Sequence, residues 1–137
     1  CPRYVRRRIP KAVKVGMLPN CEIAAIVADE LKARSELPVV FDPVLESTSG
    51  LSLMDEDCVQ WVRHEFFSHV SLVTPNLDEA RRFTNEICQD RADMIRAAER
   101  FLSFGAPAVL VKGGHLADEL AKRLQAVQYL QEMYVFG

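Results

Sequence analysis

Residues 71–83, SLVTPNLDEARRF, hold two kinds of structure in one line. Ser71 to Thr74 has the composition of the end of a buried strand. Leu77 to Phe83 opens a helix. Pro75 and Asn76 stand at the change, and Glu79 follows Asn76 by three places. An amide at a helix start with a carboxylate at that spacing is close to a capping box, in which each side chain satisfies a free backbone N–H. A strand that turns directly into a capped helix is one unit of a parallel α/β sheet.

The same alternation runs outward in both directions. AVKVGML (12–18) is short, apolar and β-branched. NCEIAAIVADELKARS (20–35) follows, with Asn20 as N-cap and Ile23, Ile26, Val27 and Leu31 at helical spacing. LPVVFDPV (37–44) is a second apolar run, and Asp55 caps a helix over 56–70 whose inner stripe is Val59, Val62 and Phe66. SLVTPN is the third strand. Helices follow over 77–87 and 93–105, the latter ended by Gly105, and APAVLVKGG (106–114) is the fourth strand. The tail after His115 reads as a helix to about Ala126 and then a strand. Apolar strands separated by amphipathic helices predict an α/β fold, a mostly parallel sheet with helices on both faces.

The totals exclude several classes. The chain has 137 residues, enough for one domain with a real core, and 17 basic against 19 acidic side chains give a formal charge of −2. That balance argues against a nucleic-acid surface, and Arg6-Arg7-Arg8 reads as a solvated end. No run approaches the ~20 apolar residues of a membrane helix, and no apolar signal core opens the chain, so a cytoplasmic location is expected. The cysteines, at 1, 21, 58 and 88, form no Cys-x-x-Cys pair. They read as reduced thiols, two or three of them packed as small apolar groups. Cys21 follows the helix cap Asn20, a place that favours the thiolate.

The unusual residues fall at the carboxyl ends of the strands, where open parallel sheets bind ligands. Strand one ends in Gly16-Met17, strand two in Asp42-Pro43-Val44, strand three in Thr74-Pro75-Asn76 with Glu79 a turn on. Strand four ends in Lys112-Gly113-Gly114-His115. If the strands are parallel, one rim carries two carboxylates, an amide, a lysine and glycines. Glycines let backbone N–H groups approach phosphate oxygens. Lys112 offers a compact positive charge, and Asp42 and Glu79 offer the oxygens that Mg²⁺ prefers. That set suits a polyphosphate and phosphoryl transfer. Each residue has a plainer use too: capping for Asn76 and Glu79, a turn for Asp42-Pro43 and for the glycine pair, a surface charge for Lys112. His64, His69 and His115 read as surface or loop groups and not as ligands.

The blocks AVKVGML, VVFDPVLESTSG, LVTPNLDEA and AVLVKGGH, in this order and at these separations, resemble the phosphomethylpyrimidine (hydroxymethylpyrimidine phosphate) kinases of thiamine biosynthesis, members of the ribokinase-like superfamily. The resemblance runs from about Lys11 to His115. It implies transfer of the γ-phosphate of ATP to hydroxymethylpyrimidine or its monophosphate. It implies that Asp42 and Glu79 organise Mg²⁺ and the phosphates, that Asn76, Lys112, Gly113 and Gly114 lie along the nucleotide, and that Met17 and Val44 border the pyrimidine. A homodimer is among the expectations, because dimers are common in the family.

Two departures stand out. Ser47-Thr48-Ser49-Gly50 replaces the family's Ala-Lys-Ser-Gly, and none of the six glycines forms the Gly-x-Gly-Cys or Gly-x-Gly-Asp loop that carries the family's catalytic base. The catalytic residue is therefore unknown here, residues 1–137 read as the central part of a single, incomplete kinase domain, and this piece alone is expected to be inactive. A pyridoxal kinase-like enzyme and a non-catalytic nucleotide- or pyrimidine-binding domain remain as alternatives.

Overall fold

The structure is a computed structural model of the chain; it describes residues 10–45, 54–113 and the backbone of 133–136. Within them, strands β1 (Val13–Val15), β2 (Val39–Phe41), β3 (Leu72–Val73) and β4 (Val109–Lys112) lie side by side in chain order, and β5 (Met133–Phe136) closes the row. The first three pairings are parallel, with Val15 opposite Phe41, Phe41 opposite Val73 and Val73 opposite Val109. The pairing of β4 with β5 is antiparallel. The mostly parallel sheet expected from the sequence is present.

The helices begin where side chains cap them. Asn20 accepts from the Ile23 N–H at 2.9 Å and opens α1 (Cys21–Ala33). Asp55 accepts from the Cys58 N–H at 2.8 Å and opens α2 (Glu56–Trp61). Asn76 opens α3 (Leu77–Thr84), and Asp90, not singled out in the sequence, opens α4 (Arg91–Ser103). α3 stops three residues short of its expected end because Asn85 takes a left-handed conformation with φ 57°. Gly105, at φ 100°, turns the chain out of α4.

The helix expected over 56–70 changes pitch. After α2 the chain makes a π-turn over Val62–Phe66 and a 3₁₀ turn over Phe67–His69. A regular helix rotates about 100° per residue, so adjacent residues diverge. The altered pitch lets the neighbours Phe66 and Phe67 both be fully buried, together with Val59 and Val62. It also buries Arg63, whose guanidinium lies 5.3 Å from the centre of the Phe104 ring and donates to Gln60.

Along the strands burial alternates: Val39, Phe41, Val73, Val109 and Val111 are buried, whereas Val40, Leu72 and Leu110, which alternate with them, are half-buried. The inner side of α1 also differs from the isoleucine spacing. Ala24, Ala28 and Leu31 pack inward, while Ile23 and Ile26 are exposed. Alanines permit a close approach that isoleucine would block.

Phe67 sits at the centre of the core. Its ring lies 6.0 Å from Phe41 on the sheet, 5.4 Å from Phe83 on α3, and 5.4 Å from Phe101 on α4. Replacing it removes contacts to three elements at once. Phe67→Ala is expected to cost about 3–5 kcal/mol of folding stability, read as a lowered midpoint in urea unfolding; a loss below about 1 kcal/mol would mean that the cluster repacks without it.

Candidate functional site

Because β1 to β4 all run the same way, their carboxyl ends form one rim. Backbone bonds continue the ladder past the strands. The Asp42 N–H donates to the Val15 carbonyl at 2.9 Å, the Thr74 N–H to Phe41 at 2.9 Å, and the Lys112 N–H to Pro75 at 2.8 Å. Asn76 and Lys112 face each other in a parallel bridge. Four of the predicted residues, Asp42, Asn76, Glu79 and Lys112, are thereby brought together.

Each is held by local chemistry. Val44 N–H donates back to the Asp42 carbonyl at 2.8 Å, a three-residue turn centred on Pro43. The proline ring holds φ near the value that turn needs. The capping box predicted at 76–79 is complete: Glu79 N–H donates to Asn76 Oδ1, and Asn76 N–H donates to Glu79 Oε2, both at 2.8 Å. Lys112 Nζ donates to Asp42 Oδ1 at 3.2 Å, with both side chains partly open to solvent. This pair joins residues 70 apart in the chain, and no local spacing could have announced it.

Glu79 is the electrostatically unusual member. Its side chain is buried, and desolvation lifts its pKa from 4.5 to about 7. The Asn76 N–H and the Lys112 charge pull it down by less, while Asp42 and Asp78 add to the rise.

The remaining predicted residues border this group. Met17 is 52% exposed just beyond β1, and a side chain added at Gly16 would meet nothing within 4 Å, so packing leaves that end of the rim open. Val44 is half-buried and Gly113 is buried. Gly114, His115 and the Ser47–Gly50 segment lie outside the described residues. His64 is exposed and His69 half-buried beyond the π-turn, ahead of β3 and away from the rim.

Two carboxylates with no third acidic, histidine or cysteine ligand fit one metal better than others; among the described residues no group of three or more such ligands occurs. Mg²⁺ is held by one or two carboxylates, with water and substrate phosphates supplying the rest. A buried carboxylate whose ionisation is disfavoured gains from a cation beside it. The donor set therefore fits Mg²⁺ held jointly with a phosphate.

The raised pKa makes a stability statement. Below about pH 4.5 Glu79 is protonated both folded and unfolded, and it exerts no pH-dependent effect. As pH rises toward 7 the unfolded chain ionises first, so folding loses roughly 3 kcal/mol across that window. Glu79→Gln keeps an acceptor for the Asn76 N–H and removes the charge. The variant is expected to melt higher than the parent at pH 8 without metal, and to show a flatter profile between pH 4.5 and 7; equal melting temperatures at pH 8 would contradict the buried charge.

Comparison with known proteins places this rim in context. The sequence profile of the family described as phosphomethylpyrimidine kinase matches residues 5–135. A hydroxymethylpyrimidine/phosphomethylpyrimidine kinase of Aquifex aeolicus is 41% identical over 111 residues, 81% of this chain and 44% of its own length. The crystal structure of phosphomethylpyrimidine kinase from Clostridium difficile 630 superimposes with a TM-score of 0.70 at 34% identity, over 80% of this chain and 48% of that one. An ADP complex of Bacillus subtilis pyridoxal kinase does so with a TM-score of 0.67 at 32% identity, over 80% and 40%. The chain spans less than half the length of these relatives. Profile, identity and ribokinase-like fold agree: this chain belongs to the phosphomethylpyrimidine kinase family.

Proposed function

We propose that the protein carrying this chain transfers the γ-phosphoryl group of ATP to hydroxymethylpyrimidine or its monophosphate in thiamine biosynthesis. On this reading residues 1–137 are the central part of a single kinase domain. The observation that carries it is the Asp42–Lys112 ion pair set beside the Asn76–Glu79 box on one rim. That arrangement concentrates a cation, two carboxylates and a helix start where a triphosphate can lie.

The residues divide the work. Lys112 has three donors and uses one on Asp42, which leaves others for phosphate oxygens. Asp42 and Glu79 would hold Mg²⁺, which when bound neutralises phosphate charge and aligns the transferred group. Asn76 fixes Glu79 through the capping box, and Gly113 and Gly114 let the backbone approach the nucleotide. Met17 and Val44 border the pyrimidine. The catalytic base is not among the residues assigned here. A cytoplasmic location belongs to the same proposal. So does a closed homodimer, the commonest assembly, for which α1 offers the exposed Ile23 and Ile26.

A second reading is favoured by the likeness to pyridoxal kinase, which covers as much of this chain as the likeness to the pyrimidine kinase. A substrate panel separates the two. The intact protein with Mg·ATP is expected to phosphorylate hydroxymethylpyrimidine faster than pyridoxal; the reverse order would transfer the assignment. Lys112→Ala is expected to raise the KM for ATP by roughly ten- to a hundredfold, the value of a charge-assisted hydrogen bond. An unchanged KM would remove Lys112 from the nucleotide. The 137-residue chain by itself is expected to show no turnover; ATP-dependent phosphorylation of the pyrimidine by it would overturn that part.

A further inference from the structure

A cleft lies at the opposite end of the sheet from the rim. It opens between the end of α1, the starts of β2 and β3, and the 3₁₀ turn over Phe67–His69. Its volume is about 180 Å³. A cavity of about 150 Å³ takes a benzene-sized molecule, and drug-sized ligands occupy pockets of roughly 300 Å³ and more, so this cleft suits a small ligand and not a nucleotide. Six of its ten lining residues are polar: Lys32, Arg34, Ser35, Ser68, His69 and Ser71. None of the ten carries a carboxylate, and the rest of the wall is aliphatic, Leu37, Val39 and Val70 included. His69, read from the sequence as a surface group, is half-buried in this wall.

Local hydrogen bonds hold this donor set in place. Ser71 N–H donates to the Val39 carbonyl at 2.7 Å, and Val39 N–H donates to Ser71 Oγ at 2.9 Å. The hydroxyl oxygen is thereby fixed between two strands, and its own proton is left to donate. Leu37 N–H donates to the Arg34 carbonyl at 3.0 Å, closing the turn that carries Arg34 and Ser35. Arg34 uses Nη1 on Glu30, and Lys32 Nζ lies 3.9 Å from Asp29. Both pairs are exposed to solvent, and pairs of that kind are weak enough to yield to a ligand. The guanidinium of Arg34 keeps further donors. Asp29, Glu30 and the carbonyl end of α1 oppose an anion. Two cationic side chains, three hydroxyls and an imidazole in one wall outnumber them as partners for one.

We propose that this cleft binds a small phosphomonoester, its phosphate among Lys32, Arg34 and the serine hydroxyls and its organic group against Leu37, Val39 and Val70. A phosphomonoester presents three terminal oxygens, which match so many donors better than the two oxygens of a carboxylate. Free phosphate would meet the same donors and leave the aliphatic wall uncovered, so the ester is the tighter ligand. No bond is made or broken in the cleft; its role is binding. The cleft and the rim stand at the two ends of β2 and β3, and the inference depends on no part of the proposed kinase reaction.

The test titrates the intact, isotope-labelled protein with ethyl phosphate, inorganic phosphate and acetate at constant ionic strength, followed by amide NMR. Ethyl phosphate is expected to give saturable shifts at Arg34, Ser35, Ser68, His69 and Ser71, with inorganic phosphate weaker and acetate weakest. Lys32→Gln and Arg34→Gln are each expected to raise the Kd for ethyl phosphate roughly tenfold, the value of a charge-assisted hydrogen bond. Lys112→Ala, on the rim, is expected to leave it unchanged. If Arg34→Gln unsettles the end of α1, Lys32→Gln still decides. No saturable shift at these amides, or equal affinity for acetate and ethyl phosphate, would overturn the proposal. So would a Kd that neither cleft variant alters, or one that follows Lys112 instead. Inorganic phosphate binding as tightly as ethyl phosphate would overturn the ester.

Discussion

Three backbone hydrogen bonds set the geometry of the rim: Asp42 to Val15, Thr74 to Phe41, and Lys112 to Pro75. Each continues a parallel ladder past the point where the strand ends. Without them the residues after the strands would be loop residues with separate positions. With them, Asp42 is level with the end of β1, and Asn76 is level with Lys112. The side-chain pair between Lys112 and Asp42 then needs no long reach, because only β3 lies between their strands and the backbone bonds already hold it level with both. Such partly exposed pairs contribute little to stability. The order at the rim comes from the sheet, and the ion pair reports it.

Glu79 shows how one side chain serves folding and site at once. Its oxygen closes the capping box and satisfies an N–H at the start of α3. A glutamine would do that as well. The carboxylate costs stability at neutral pH because it is buried, and folding alone does not call for that charge. A cation next to it would turn the cost into binding affinity. Capping is the use the structure shows, and metal positioning would be a second use of the same geometry.

Much of this was legible in the sequence. The caps at Asn20, Asp55 and Asn76 are local, since each bond spans three residues, and each was readable from residue type and spacing. Strand direction followed from apolar runs alternating with helices. What escaped was decided by packing. The inward face of α1 is Ala24 and Ala28 because of how near the helix lies, which the isoleucine spacing could not report. The π-turn after Trp61 answers the need to bury Phe66 and Phe67 together, a demand set by Phe41, Phe83 and Phe101 elsewhere in the chain. The Asp42 and Lys112 positions were each visible, and their pairing was not.

A carboxyl that titrates near neutrality is a common mark of a general base, and Glu79 has that property. Geometry argues against the role. A base must present a free oxygen to the hydroxyl it deprotonates. Glu79 Oε2 already accepts the Asn76 N–H at 2.8 Å, and the residue is 7% exposed. Its raised pKa comes first from burial. Asp42, the other carboxylate of the rim, has an oxygen engaged by Lys112. Asp42 already meets positive charge in the Lys112 ammonium, and in the proposed function the two carboxylates would meet it again in a metal ion. On the proposed reading the rim would supply positioning and neutralisation of charge in phosphoryl transfer, and activation of the acceptor hydroxyl would fall to a group outside it.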